Sequence, residues 1–151
     1  MLFYFIAFLI AAADQLLKYL VHKNMFLGQS IPIIGEVIKL TYVRNTGVAF
    51  SLFVGFSPYL AIAGLVVTLG VIYLHYRIPA KNFSMQIALA FILGGSLGNL
   101  IDRIFRSYVV DYMDITIWPV FNLADVMINI GAIMLAFKLI EKGDKDVSGP
   151  I

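Results

Sequence analysis

Phe83-Ser84-Met85-Gln86-Ile87-Ala88-Leu89-Ala90-Phe91-Ile92-Leu93-Gly94-Gly95-Ser96-Leu97-Gly98-Asn99-Leu100-Ile101 carries no charge between Lys81 and Asp102. A helix that crosses a bilayer needs roughly 20 mostly apolar residues. This stretch has that length, and so do three others: about Leu2 to Val21, about Ser57 to Tyr76 and about Val120 to Ile140. The 151 residues are 61% hydrophobic and 13% charged, with a mean hydropathy of +0.91. A soluble domain carries about 25% charged residues. Composition and spans therefore predict an all-α membrane protein of four transmembrane helices, folded as one domain over residues 1–151.

The N-terminus superficially looks like a signal peptide. It lacks a basic leading segment, and Asp14 and Lys18 interrupt its apolar run, so it reads as a retained transmembrane helix. The chain has no cysteine, which removes thiol nucleophiles, Cys-ligated metals and disulfides. A net charge of +2 is too small to point to nucleic acid.

Residues from about Asn24 to Phe56, between the first two spans, include Val37-Ile38-Lys39-Leu40-Thr41-Tyr42-Val43. That β-branched and aromatic run predicts short strands or a hairpin outside the bilayer. After Glu141 the chain turns polar, and the tail 141–151 is expected to fray.

Four spans put the first and third connections on one side of the membrane and both termini on the other. Asp14 lies late in the first span, Asn99 and Asp102 close the third, Asp111 lies in the third connection and Asp125 opens the fourth. Parity alone thus collects the unusual polar residues at one face. Loop lysines and arginines are tied between the two sides. The dense Arg77/Lys81 connection weakly favours cytoplasmic termini. His22 and His75 fall on opposite sides, and no His-Glu-x-x-His or Gly-x-Ser-x-Gly occurs. Zinc and serine–histidine chemistry are poor candidates, and no metal or cofactor is expected.

A carboxylate near hydrocarbon is costly, so it is a functional-site hypothesis by default. Asp111 (Val109-Val110-Asp111-Tyr112) and Asp125 (Phe121-Asn122-Leu123-Ala124-Asp125) have no cation nearby in sequence. Two such groups in a low-dielectric pocket cannot both ionise easily, so they share a proton, as in an aspartic protease. The competing reading is two separate interfacial carboxylates facing water. Asp102 has Arg103 beside it and Arg106 at i+4, which reads as a structural ion pair. Asp14 and Lys18, also four apart, read as an internal ion pair, or Asp14 as a substrate-facing or site-orienting carboxylate. Asp114 is a third participant or a solvated loop carboxylate. Gly94 and Gly98 allow close helix packing, which would set Asn99 against a neighbour. Asn45-Thr46-Gly47 reads as a turn with Asn45 as a possible peptide ligand. Trp118-Pro119 fits an interfacial anchor before the fourth helix.

Five motifs in order resemble the bacterial lipoprotein signal peptidases, the signal peptidase II family of membrane aspartic proteases. They are Asp14-Gln15-x-x-Lys18, Arg44-Asn45-x-Gly47-x-Ala49-Phe50-Ser51, Gly94-Gly95-x-x-Gly98-Asn99-x-x-Asp102-Arg103, Val109-Val110-Asp111-Tyr112 and Trp118-Pro119-x-Phe121-Asn122-x-Ala124-Asp125. Leu17 and Tyr112 depart from the threonine and phenylalanine usual in the family.

The resemblance implies a catalytic dyad of Asp111 and Asp125. Asp14, Asn45, Asn99, Arg103 and Asn122 would line or support the site, and Asp102 would orient it. Lys18, Gly47 and Ala124 lie in the same motifs and join the supporting set. The implied reaction removes the signal peptide of diacylglyceryl-modified prolipoproteins just before the lipidated cysteine. The implied setting is the bacterial inner (cytoplasmic) membrane, with cytoplasmic termini, an extracytoplasmic site, a small β-cradle after helix one, and inhibition by globomycin. Membrane lipid is an expected partner. Two other classes compete: an ion-coupled transport component, which would need polar residues across the whole bilayer, and a non-catalytic assembly partner, which leaves the aspartates unexplained.

Overall fold

The computed structural model describes residues 1–47 and 57–147, with side chains through Glu141. In chain order the elements are α1 (Leu2–Asn24), β1 (Ser30–Ile34), β2 (Ile38–Asn45), α2 (Ser57–Arg77), α3 (Phe83–Arg106), β3 (Val109–Asp114) and α4 (Leu123–Val147). All four helices are long and apolar enough to cross a membrane.

α3 is the central helix and packs against the other three. In its most apolar window 61% of residues are buried, against 11–22% in the other helices. Small residues make that position possible. A Cβ on Gly94 would stand 2.7 Å from the Ala7 carbonyl oxygen of α1. A Cβ on Gly98 would meet the Asp14 carboxylate and, 3.3 Å away, the Ala124 methyl of α4. Backbones this close leave no room for a side chain. The outer surfaces of α1, α2 and α4 expose large apolar side chains, as a lipid-facing surface must.

The three strands form one antiparallel sheet in the order β1-β2-β3. Its third strand comes from the connection between α3 and α4, outside the stretch that predicts strands from sequence. Val109-Val110-Asp111-Tyr112-Met113 has the β-branched and aromatic content to extend, and β2 offers the open edge. Ser107, with φ 63°, closes α3 and turns the chain into β3. One face of the sheet is apolar: Tyr42, Val110 and Tyr112 pack on Val21 and Met25 at the end of α1.

α4 starts at Leu123, three residues later than expected. Phe121 is held instead by a bridge to Met113, with its carbonyl accepting from the N–H groups of Tyr112 and Met113. Trp118 and Pro119 therefore precede the helix. At its other end α3 runs past Ile101 to Arg106, so Asp102 and Arg103 sit inside a helix.

Candidate active site

Asp111 lies on β3, opposite Val43 of β2. Asp125 lies in the first turn of α4. That turn is fixed by a reciprocal cap. Asn122 Oδ1 accepts the Asp125 N–H at 3.0 Å, and Asp125 Oδ2 accepts the Asn122 N–H at 3.2 Å. This is a capping box with short side chains, and it satisfies two helix-end donors at once. Both aspartates line one cavity of about 730 Å³, together with Asn45, Asn99 and Arg103.

Three carboxamides aim their N–H groups at the two acids. Asn45 Nδ2 donates to Asp111 Oδ2 at 2.9 Å, Asn122 Nδ2 to Asp111 Oδ1 at 2.7 Å, and Asn99 Nδ2 to Asp125 Oδ1 at 2.8 Å. Each amide has its oxygen occupied by another donor. Gly47 N–H holds Asn45 Oδ1 at 2.9 Å, Asp125 N–H holds Asn122 Oδ1, and Lys18 Nζ holds Asn99 Oδ1 at 2.9 Å. The donor ends are therefore turned toward the acids, and Asn122 Nδ2 also gives a hydrogen bond to Asn99 Oδ1 at 3.2 Å.

Behind the cavity lies a buried ionic cluster. Lys18 Nζ is 2.8 Å from Asp14 Oδ2 and 3.1 Å from Asp102 Oδ2, with all three side chains fully buried. Arg106 pairs with the other oxygen of Asp102. Two cations and two anions thus balance, which a buried ion cluster requires. The cluster reaches the neighbouring elements by backbone bonds. Asp14 Oδ1 accepts the Ala124 N–H at 3.0 Å, and Asp102 Oδ2 accepts the Val110 N–H at 3.1 Å.

Burial foremost, and then the Asp125 charge, pushes the Asp111 carboxyl from its ordinary 3.8 up to about 7; the Asn45 and Asn122 amides pull the other way. Asp114 behaves differently. Hydrogen bonds from the Thr41 hydroxyl at 2.7 Å and the Thr116 N–H at 2.8 Å hold its carboxyl below the ordinary range. It is a sheet-bracing residue that does not line the cavity.

Of the residues singled out from sequence, Asp111, Asp125, Asn45, Asn99, Arg103, Trp118 and Pro119 line the cavity. Asp14, Lys18, Asp102, Asn122 and Ala124 are buried beside it. Gly47 acts through its N–H on Asn45. Ala49, Phe50 and Ser51 lie outside the described residues. Among the described residues no group of three or more His, Asp or Glu side chains is placed to hold a metal ion.

Gln15 and Tyr112, quoted in the motifs without a role, and four residues of α4 take parts that the sequence reading did not assign. Gln15 Nε2 donates to the Gly98 carbonyl at 3.0 Å and to Asp102 at 3.2 Å. The Tyr112 hydroxyl accepts the Leu123 N–H at 3.3 Å. The α4 residues Val126, Asn129, Ile130 and Ile133 extend the cavity as a largely apolar wall. Their i, i+3, i+4, i+7 spacing was the available signal for that wall.

A sequence model of the family described as signal peptidase (SPase) II matches residues 6–141. The lipoprotein signal peptidase of Bacillus subtilis is 42% identical over 150 residues, covering 96% of this chain and 97% of that protein. That of Moorella thermoacetica is 41% identical over 138 residues, covering 91% and 92%. A bacterial membrane enzyme solved by the in meso method superposes with a TM-score of 0.88 at 29% identity, covering 97% of this chain and 92% of that one. A second in meso structure of a bacterial membrane enzyme gives 0.80 at 31% identity, covering 89% and 90%. Fold, motif order and overall identity agree, and the chain belongs to the signal peptidase (SPase) II family of bacterial membrane peptidases.

Proposed function

We propose that this chain is an aspartic endopeptidase of the bacterial cytoplasmic membrane. It removes the signal peptide of diacylglyceryl-modified prolipoproteins, cutting just before the lipidated cysteine. One observation carries the two-aspartate mechanism: Asp111 and Asp125 face the same cavity, and each is held by carboxamide donors.

The two carboxyls share one proton, and their surroundings divide their roles. Asp125, in the first turn of α4 and accepting the N–H of its own capping residue Asn122, takes the role of base. Asp111, pushed up to about 7, keeps the proton. The pair titrates as a unit. Asp125 takes a proton from water, and the hydroxide oxygen adds to the scissile carbonyl carbon. Asp111 gives its proton to the carbonyl oxygen, leaving a gem-diol. On collapse the Asp125 proton passes to the amide nitrogen, and the C–N bond breaks. Asp111 recovers a proton from one diol hydroxyl, so both acids return to their starting state.

The cavity wall suits the lipid. Ile130 and Ile133 of α4 are exposed beside the dyad. Acyl chains lying along them contribute roughly 0.8 kcal/mol per buried methylene. The peptide then needs little sequence of its own to be held. Arg103 reaches the same cavity; one of its N–H groups goes to the Asn99 carbonyl at 3.5 Å, and its others serve substrate carbonyl oxygens. The site faces the extracytoplasmic side, where a lipidated cysteine meets the outer leaflet, and both termini are cytoplasmic. Globomycin inhibits the reaction.

A gel-shift cleavage assay tests this reading. Purified protein receives a prolipoprotein with and without its diacylglyceryl group, alongside Asp111→Asn and Asp125→Asn. Wild type cuts mainly the lipidated form and both variants are inert. Activity in either variant, or equal cleavage without lipid, removes the corresponding part of the proposal.

A further inference from the structure

Lys18 makes one contact that charge balance does not require. Its ammonium has three donors and three acceptors: Asp14 Oδ2 at 2.8 Å, Asp102 Oδ2 at 3.1 Å and Asn99 Oδ1 at 2.9 Å. The two carboxylates, with Arg106 on Asp102, already balance the cluster. The third contact fixes an amide. An ammonium can only donate, so the end of Asn99 facing Lys18 must be the oxygen. The nitrogen is thereby turned to Asp125 Oδ1, 2.8 Å away. Through Asp102 the same lysine reaches the Val110 N–H, next to Asp111.

We infer that Lys18 is a positioning residue for the cleavage reaction: it locks the Asn99 amide in the orientation that donates to the Asp125 carboxylate, and through Asp102 it holds the strand that carries Asp111. The inference rests on the two-aspartate reading. Lys18 is the shorter and charged of two donors on Asn99 Oδ1, the other being Asn122 Nδ2 at 3.2 Å. Without Lys18 only the longer, neutral bond remains, and the Asn99 oxygen turns toward Asp125 more readily. An acceptor facing a carboxylate disfavours the anion, and the pair then loses its base at higher pH than before. The charged groups around this contact are Asp14 on α1, Asp102, Arg103 and Arg106 on α3, Asp111 on β3 and Asp125 on α4.

Lys18→Met alone would leave Asp14 without its cation and risks misfolding. The double variant Asp14→Asn/Lys18→Met keeps the balance, because Asp102 retains Arg106. We expect it to unfold near the wild-type temperature in detergent. Its kcat should fall on the order of 100-fold, the cost of a small misplacement at a reacting centre, with little change in KM. The acidic limb of its pH–rate profile should rise by about one unit. Lys18→Arg, which can only donate, should return the limb to its wild-type position. A merely structural lysine would lower the amplitude and leave the limb where it was. A folded double variant with an unmoved limb overturns the inference. If the double variant does not fold, Lys18→Arg decides: a displaced limb in that variant overturns the inference equally. Asp111→Asn and Asp125→Asn run in the same assay, and activity in those would indict the dyad itself.

Discussion

Asn122 joins the two acids: its side-chain nitrogen donates to Asp111 Oδ1 at 2.7 Å while its side-chain oxygen accepts the Asp125 N–H at 3.0 Å. A single residue thus caps α4 and holds the strand acid. Asn122→Ala should cost about 1 kcal/mol through the lost cap. Activity should fall much further, by at least about 100-fold, because Asp111 loses its shorter amide donor. Thermal unfolding and prolipoprotein cleavage on the same preparation separate the two effects. A loss of activity no larger than the loss of folded protein would show that Asn122 acts only as a cap.

The raised Asp111 carboxyl gives stability a pH dependence of known sign. The folded protein binds this proton more tightly than the unfolded chain, since about 7 lies above 3.8. Its contribution is fully present below about 3.8 and is lost as pH rises through about 7. Asp111→Asn removes the titrating group. Between those two values the unfolding temperature of the variant should therefore fall less with pH than that of the wild type. Parallel curves would mean that Asp111 titrates normally. The same proton should shape catalysis, with the rate declining as pH passes about 7 and the dyad loses its acid.

Two glycines should respond in opposite ways to the same substitution. At Gly98 a new Cβ would press on the Asp14 carboxylate, with Asp14 Cγ 3.0 Å away and the Ala124 methyl at 3.3 Å. Those groups are buried and already bonded, so α3 must move away from α1 and α4. Gly98→Ala should abolish cleavage and destabilise by about 1–3 kcal/mol. At Gly70 on α2 nothing lies within 4 Å of the new atom. Gly70→Ala should be neutral or stabilising by up to about 1 kcal/mol, the helix preference for alanine. Equal responses at the two sites would contradict the helix contacts described above.

Local features of the chain disclose the spans and the acids; partners brought from distant elements are invisible in it. Apolar length marks all four helices, and an aspartate at the edge of an apolar run is conspicuous wherever it occurs. Lys18 shows the limit. Its i, i+4 relation to Asp14 is readable, but its contacts with Asn99 and Asp102 exist only because α1 packs on α3. Asp102 is likewise readable as the partner of Arg106, while its bond to Val110 N–H needs the turn at Ser107. β3 escapes notice because the strand it pairs with, β2, lies far back in sequence. Val120 and Phe121 look helical by hydropathy alone, yet a backbone bridge from Phe121 to Met113 precedes the helix.

Tyr112 offers the last test, at a position where this chain departs from the phenylalanine usual in the family it resembles. The ring is buried, and its hydroxyl accepts the N–H of Leu123, the first residue of α4. That donor has no partner within the helix, because the first N–H groups of any helix lack one. The hydroxyl therefore ties the strand bearing Asp111 to the helix bearing Asp125. Burial also pushes its ionisation above the ordinary tyrosine range, so it stays neutral through the working pH. Tyr112→Phe removes the tie and leaves the ring packing against Val21 and Met25. The expected loss is about 0.5–1.5 kcal/mol, one net hydrogen bond, or a few degrees in unfolding temperature. Turnover should stay within about threefold, because Asn122 still links the two acids; that factor is less than 1 kcal/mol in the barrier. A much larger fall in kcat with an unchanged unfolding temperature would mean that the hydroxyl takes part in the reaction itself.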